Sequence, residues 1–130
     1  MEKVFVYGTL KTGGTVRGLN TFGDGATIVG RATTEYPDYD MLDLGSFPGV
    51  VLGGQYKILG EVWEVDEETF QMLDGIEGYP TFYDRKLTHT TQGKAWMYVL
   101  NKHDYAEYPN FEDSNSIELH GDTLQWNLTN

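Results

Sequence analysis

Apolar residues along the chain come in short runs, each closed by Gly, Pro, Asp or Asn, a punctuation that belongs to strands and turns rather than to long helices. Val4-Phe5-Val6-Tyr7 is β-branched and aromatic and stops at Gly8, so it reads as a buried first strand. Ala26 to Tyr36, Tyr39 to Leu44 and Pro48 to Leu52 read as further strands. Lys57 to Val65, with Ile58, Leu59, Val62, Trp63 and Val65, is expected to be a long central strand in which Gly60 marks a bulge or close packing. Phe82 to Thr90 and Lys94 to Leu100 resume the strand pattern around a Thr91-Gln92-Gly93 hairpin loop.

One segment breaks the pattern. Asp66 is a candidate N-cap, and Glu67 and Glu68 follow in a first turn where the helix dipole favours carboxylates. Phe70, Leu73 and Ile76 recur at a spacing of three, with Met72 four before Ile76, which predicts a helix with one apolar face. Gly75 and Gly78 frame its end, and Pro80 forbids continuation.

A chain of 130 residues with 39% apolar content is long enough for one compact domain with a real core and a single pocket. Its 20 acidic residues against 9 basic ones give a net charge of −11, which disfavours binding to nucleic acid and to anionic membranes. With no cysteine, disulfides, thiolate nucleophiles and cysteine-based zinc sites are excluded. No apolar run approaches the roughly 20 residues needed to span a bilayer. Met1-Glu2-Lys3 runs directly into a strand without the features of a secretion signal, so a cytoplasmic location is expected and the Asn127-Leu128-Thr129 sequon reads as accidental. Residues 101–130 hold six acidic residues against one lysine. Tyr105, Tyr108, Phe111, Leu124 and Trp126 would be costly to leave in water, so this acidic tail is expected to lie against the body, covering it or shaping the pocket mouth.

Few residues offer chemistry. His89, His103 and His120 show no metal-ligand spacing, and Ser46 lacks a nucleophile elbow and reads as a turn serine. Gly8 and Gly13 have the spacing of a phosphate-binding loop, but Gly14-Thr15 stands where its lysine is required. What survives is a small nest: Gly8-Thr9-Leu10-Lys11, after a strand, can aim successive backbone N–H groups at one anion, or be a plain tight turn. Glu77, just past the helix end between Ile76 and a Gly-Tyr-Pro turn, is placed to be a carboxylate in a partly apolar pocket, where burial would raise its pKa toward neutrality. Spacing alone does not choose between Glu77 and Asp74.

Val4-Phe5-Val6-Tyr7-Gly8-Thr9-Leu10-Lys11, Phe47-Pro48-Gly49-Val50-Val51, Gly60 to Val65 and Leu73-Asp74-Gly75-Ile76-Glu77-Gly78-Tyr79-Pro80 with Tyr83 and Arg85 together resemble the gamma-glutamylcyclotransferase-like family, in its AIG2-like and gamma-glutamylamine cyclotransferase branch. The likeness spans about residues 3 to 100; Gly13 to Asn20 is only loosely similar, and the tail lies outside it. The resemblance implies an α+β fold, a small mixed β-barrel with few short helices. It also implies a small-molecule γ-glutamyl substrate cyclised to 5-oxoproline with release of an amine, and neither metal nor organic cofactor. Glu77 matches the catalytic acid/base, and the loop of Tyr7, Gly8, Thr9 and Leu10 lines the pocket. Tyr7, Phe47 and Tyr83 are candidate wall residues, with core packing the competing role. The loop amides would hold either the substrate carboxylate or a developing oxyanion. The competing class is a binding module on the same fold that captures a small anionic metabolite or a partner protein without turnover.

Overall fold

The structure, a computed structural model, describes residues 1–11, 25–101 and 108–128. In chain order they form β1 (Glu2–Val6), β2 (Ala26–Thr33), β3 (Tyr39–Asp43), β4 (Pro48–Leu52), β5 (Lys57–Val65), α1 (Glu67–Ile76), β6 (Tyr83–Thr90), β7 (Gly93–Leu100), β8 (Ile117–His120) and β9 (Thr123–Trp126). Seven strands make one mixed sheet in the order β6-β7-β1-β5-β9-β8, with β2 also paired to β5, while β3 and β4 form a separate hairpin. The β1–β7 and β5–β9 pairs are parallel and the others antiparallel.

The sheet curls because its distant strands meet. Thr34, just beyond β2, bridges Thr90 at the end of β6, and the Glu35 N–H donates to the His89 carbonyl at 2.9 Å. The expected small mixed barrel is therefore a curled half-barrel, with one short helix among the described residues. That closure also explains why β2 stops at Thr33, short of Tyr36: residues 34 and 35 turn to pair with β6.

The central strands are covered on both faces. Val4 and Val6 of β1 join Trp63, Val65, Phe70 and Leu73 beneath α1, whereas Phe5 and Tyr7 join Met41, Val50, Val62 and Met97 inside the curl. Such two-sided burial produces the unbroken apolar run of β1, where a half-exposed strand would alternate. Gly60 is a close-packing glycine: a Cβ there would stand 2.3 Å from the Val6 carbonyl oxygen. The register shift falls instead on β2, between Ile28 and Gly30.

Helix α1 starts as its sequence dictates, with the Asp66 side chain accepting the Thr69 N–H at 2.8 Å. Its apolar stripe is narrower than the spacing implies. Phe70 and Leu73 are buried, but Met72 and Ile76 are exposed because a ten-residue helix resting on a curved sheet touches it along its middle only. No described helix is long and apolar enough to cross a membrane.

The tail does more than cover the body. The β8–β9 hairpin enters the sheet through Lys57↔Thr123 and Ile58↔Leu124, where β5 extends past the last partner of β1, and Ile117, Leu124 and Trp126 belong to the inner core. Phe111 packs edge-on against Tyr56 with ring centroids 5.2 Å apart; Tyr105 lies outside the described residues. Burying a side chain of this size contributes about 1.5–3 kcal/mol, so losing three removes a large part of the 5–15 kcal/mol that holds a small domain together. A chain ending at Asn101 is accordingly expected to lose cooperative unfolding, and Leu124→Ala in the full chain to lower stability by about 2–5 kcal/mol, both read by thermal circular dichroism.

Candidate functional site

The loop after β1 is shaped by close packing. The Lys11 N–H donates to the Gly8 carbonyl at 3.0 Å, closing a tight turn, and no described residue accepts from the N–H groups of Gly8, Thr9 or Leu10. Gly8 must be glycine, since a Cβ would come within 2.8 Å of the Pro48 ring. Tyr7 is buried, and its hydroxyl donates to the Tyr98 carbonyl at 2.8 Å while accepting the Val50 N–H at 3.2 Å. The Tyr7 hydroxyl is thus committed to tying β1, β4 and β7 together; burial and nearby Glu77 push its pKa upward. Tyr83 is likewise buried, its hydroxyl donating to the Pro48 carbonyl at 2.7 Å.

Close enough to act on the Tyr7 hydroxyl stands the end of α1. The Gly78 N–H donates to the Gly75 carbonyl at 3.2 Å and the Tyr79 N–H to the Asp74 carbonyl at 2.9 Å. With Gly78 at φ +65°, this is a Schellman stop. It makes Glu77 the C-cap residue.

Asp74 and Glu77, which the sequence left equivalent, have different surroundings. Asp74 is ion-paired with Arg85 and accepts a hydrogen bond from the Tyr98 hydroxyl at 2.7 Å. The guanidinium lies 4.4 Å from the Phe70 ring centroid, 4.3 Å from that of Tyr79 and 5.2 Å from that of Trp96, a cation held among three aromatic faces. Glu77 faces a cleft and has no such partner among the described residues. Burial alone raises its pKa to about 7.

The cleft has a volume of about 450 Å³ and is bounded by the loop Tyr7 to Leu10, by Glu77, and by Phe47, Pro48 and Tyr83. All seven residues singled out from the sequence therefore line one cavity. Tyr7 and Tyr83 are both wall and core, while Leu10 also packs into the cluster under α1. Phe47 is half-exposed at the mouth and meets Phe82 with ring centroids 6.3 Å apart. Ile76 lines the cleft beside Glu77 as the sequence implies, whereas sequence reasoning missed Phe82, Ser46 and Tyr98 as lining residues. Phe82 carried a signal as a large apolar residue immediately after the Pro80 turn, whereas Tyr98 is brought in only by the parallel β1–β7 pairing. The histidines stay apart: His89 meets Tyr36, His120 bonds Glu118 at 2.8 Å, and His103 lies outside the described residues, as does Gly13 to Asn20.

The two carboxylates lead to opposite stability predictions. A folded-state pKa near 7 against an unfolded value near 4.5 means the folded chain binds the extra proton, so Glu77 increasingly opposes folding as pH rises between those values. Glu77→Gln is expected to be more stable than the parent at pH 8, with the difference vanishing near pH 4.5. Asp74→Asn strips a counter-ion from a largely buried arginine and is expected to cost about 1–3 kcal/mol at neutral pH. Thermal melts across pH read both. In the loop, Gly8→Val should impair ligand binding far more than Thr9→Ala, because the valine side chain strikes Pro48 and displaces the amides; calorimetry with 5-oxoproline gives the order.

A putative gamma-glutamylcyclotransferase of Vibrio cholerae is 41% identical over 99 residues, covering 76% of this chain and 82% of that protein. The gamma-L-glutamyl-butirosin B gamma-glutamyl cyclotransferase of Niallia circulans is 30% identical over 118 residues, covering 82% of this chain and 72% of its own length. The crystal structure of an AIG2-like protein from Mus musculus superposes with a TM-score of 0.73 at 26% identity, covering 98% of this chain and 95% of that one. The family model described as gamma-glutamyl cyclotransferase, AIG2-like, matches residues 4–120, so the similarity runs past residue 100 into the β8–β9 hairpin. By that match and by its likeness to the Vibrio cholerae protein, the chain belongs to the AIG2-like gamma-glutamyl cyclotransferase family.

Proposed function

We propose that the protein is a γ-glutamyl cyclotransferase that converts a γ-glutamyl amine or peptide into 5-oxoproline and a free amine, with Glu77 as its acid/base. The observation that carries this reading is a buried carboxyl, its pKa raised to about 7, lining the same cleft as a turn whose backbone N–H groups have no described acceptor. A general base works best when its pKa is close to the ambient pH, because both of its forms are then populated.

The reaction suits so small a set of groups. The substrate α-ammonium gives a proton to the Glu77 carboxylate, and the freed amine attacks the γ-carbonyl carbon of the same molecule. A C–N bond forms, closing a five-membered ring, and the carbonyl oxygen takes up negative charge. As the carbonyl re-forms, the original amide C–N bond breaks, the protonated Glu77 returns its proton to the departing nitrogen, and the second proton of the ring nitrogen passes to the released amine, which leaves as its ammonium. Nucleophile and electrophile belong to one molecule, so the protein need only hold a folded conformer of it. The N–H groups of Gly8, Thr9 and Leu10 are donors for an anionic oxygen of the substrate. The apolar walls keep Glu77 desolvated between the two proton transfers.

The test is incubation with a panel of γ-glutamyl amines and dipeptides, with 5-oxoproline read by mass spectrometry. Glu77→Gln is expected to lower kcat by about 10²–10⁴ and to leave KM within a few-fold, since the amide keeps the shape and loses the proton. Because only the carboxylate can accept the first proton, kcat/KM of the parent should fall as pH drops through about 7. A profile level down to pH 5, or full activity in Glu77→Gln, would rule out Glu77 as the base. Binding of γ-glutamyl compounds with no 5-oxoproline from any of them would make the protein a binding module.

A further inference from the structure

Three phenols line the cleft with Glu77, and each gives its proton to an acceptor of the protein itself. The Tyr7 hydroxyl donates to the Tyr98 carbonyl at 2.8 Å, and the Tyr83 hydroxyl to the Pro48 carbonyl at 2.7 Å. Both acceptors are main-chain groups within β7 and β4, which no side-chain change removes. The Tyr98 hydroxyl differs, since it donates to the Asp74 carboxylate at 2.7 Å. A phenol has a single proton, so a hydroxyl that donates to one acceptor presents only lone pairs to its other neighbours. The second oxygen of Asp74 is ion-paired with Arg85 of β6, which fixes the carboxylate where Tyr98 meets it.

Tyr98 lies near enough to Glu77 for the destination of its proton to matter. Glu77 keeps helical dihedrals, φ −82° and ψ −3°, so it shares a helix face with Asp74, the two Cβ atoms about 5–6 Å apart. The Glu77 charge acts on both the Tyr7 and the Tyr98 hydroxyls. Burial, the bond to Asp74 and that charge push the Tyr98 phenol upward, so it stays a donor. Among the described residues, the titratable and charged groups around Glu77 are thus Tyr7, Asp74, Tyr83, Tyr98 and, behind Asp74, Arg85. Resting on Glu77 as the acid/base, we propose that Asp74 is a positioning residue: by taking the Tyr98 proton, it keeps that donor off the Glu77 carboxylate. A hydrogen bond to a carboxylate favours its charged form, so a released Tyr98 hydroxyl would turn to Glu77 and make it a weaker base. The same bond would have to break each time Glu77 took the substrate proton.

The experiment follows the Glu77 carboxyl by carbon-13 NMR titration of the full chain without substrate, its signal identified by its loss in Glu77→Gln. Two variants are compared in an Arg85→Met background, where methionine fills the space among the Phe70, Tyr79 and Trp96 rings and both lack the ion pair. Asp74→Asn keeps an oxygen acceptor for Tyr98, and Asp74→Ala does not. We expect the Glu77 pKa to lie about one pH unit lower in Asp74→Ala than in Asp74→Asn, and Tyr98→Phe added to Asp74→Ala to restore it. Equal values in the two, or a value that the added Tyr98→Phe does not restore, would overturn the proposal. Tyr98→Phe alone should leave Glu77 where it is in the parent. A rise of about one pH unit there would mean that the hydroxyl already serves Glu77, and it would overturn the proposal even if the Asp74→Ala chain did not fold. The titration needs no turnover, which separates this inference from the function. The expected shift with no 5-oxoproline from any γ-glutamyl compound would keep Asp74 in its role and fail the cyclotransferase reading. Where 5-oxoproline forms, the acidic limb of kcat/KM should move down with the Glu77 pKa.

Discussion

Two carboxylates three residues apart at the end of α1 have opposite surroundings, and that difference sets the electrostatics of the cleft. Arg85 lies on β6, its guanidinium among the rings of Phe70, Tyr79 and Trp96, and it is ion-paired with Asp74. An opposite charge beside Glu77 would hold that carboxyl low. Glu77 has no such partner among the described residues, and burial raises its pKa to about 7. The helix end adds nothing that would counter this, since the last carbonyls of a helix carry partial negative charge.

The Schellman stop turns that difference into a geometry. With the stop at Gly78, Glu77 lines the cleft, Tyr79 lies against Arg85 and Phe82 lines the cleft with its ring half in solvent, so one glycine at positive φ divides three side chains between cleft carboxyl, cation holder and wall. Tyr98 joins the same system to the β1 loop: its hydroxyl donates to Asp74 and its carbonyl accepts from Tyr7, which in turn fixes Val50. Each hydrogen bond is worth about 1 kcal/mol net, but leaving any of these buried groups unpaired costs more, which makes the arrangement stiff.

Local features were legible in the sequence and non-local ones were not. β5 has the bounds its apolar run implies, and Asp66 caps α1 as its position demands, because both depend on neighbours within a few residues. The half-barrel closure at Thr34 and Thr90 and the entry of β9 beside β5 join residues more than fifty positions apart, and no periodicity encodes them. The same limit applied at the site. The Gly-Thr-Leu turn was readable as a possible nest, whereas the choice of Glu77 over Asp74 came from family likeness, since its physical cause is an arginine on another strand. Phe82 was read as the start of a strand and not as a lining residue, because that placement depends on Phe47, which reaches it from the β3–β4 hairpin.

The C-terminal strand β9 also supports the loop that shares the cleft with Glu77. Lys11, closing the turn at Gly8, donates its ammonium to the Trp126 carbonyl at 2.8 Å, and burial pulls its pKa down. A desolvated ammonium costs free energy that one carbonyl offsets only in part, so this contact is poor evidence for stability. Its value is positional. The amides of Gly8 to Leu10 have no described partner of their own, and a turn held only by its own Lys11–Gly8 hydrogen bond would spend much of its time with those donors misdirected. Pinning the turn at Pro48 on one side and at Trp126 on the other orders the donors before any ligand arrives, so binding does not have to supply that ordering free energy. The tail thus acts on the cleft through the β1 loop, by way of Trp126.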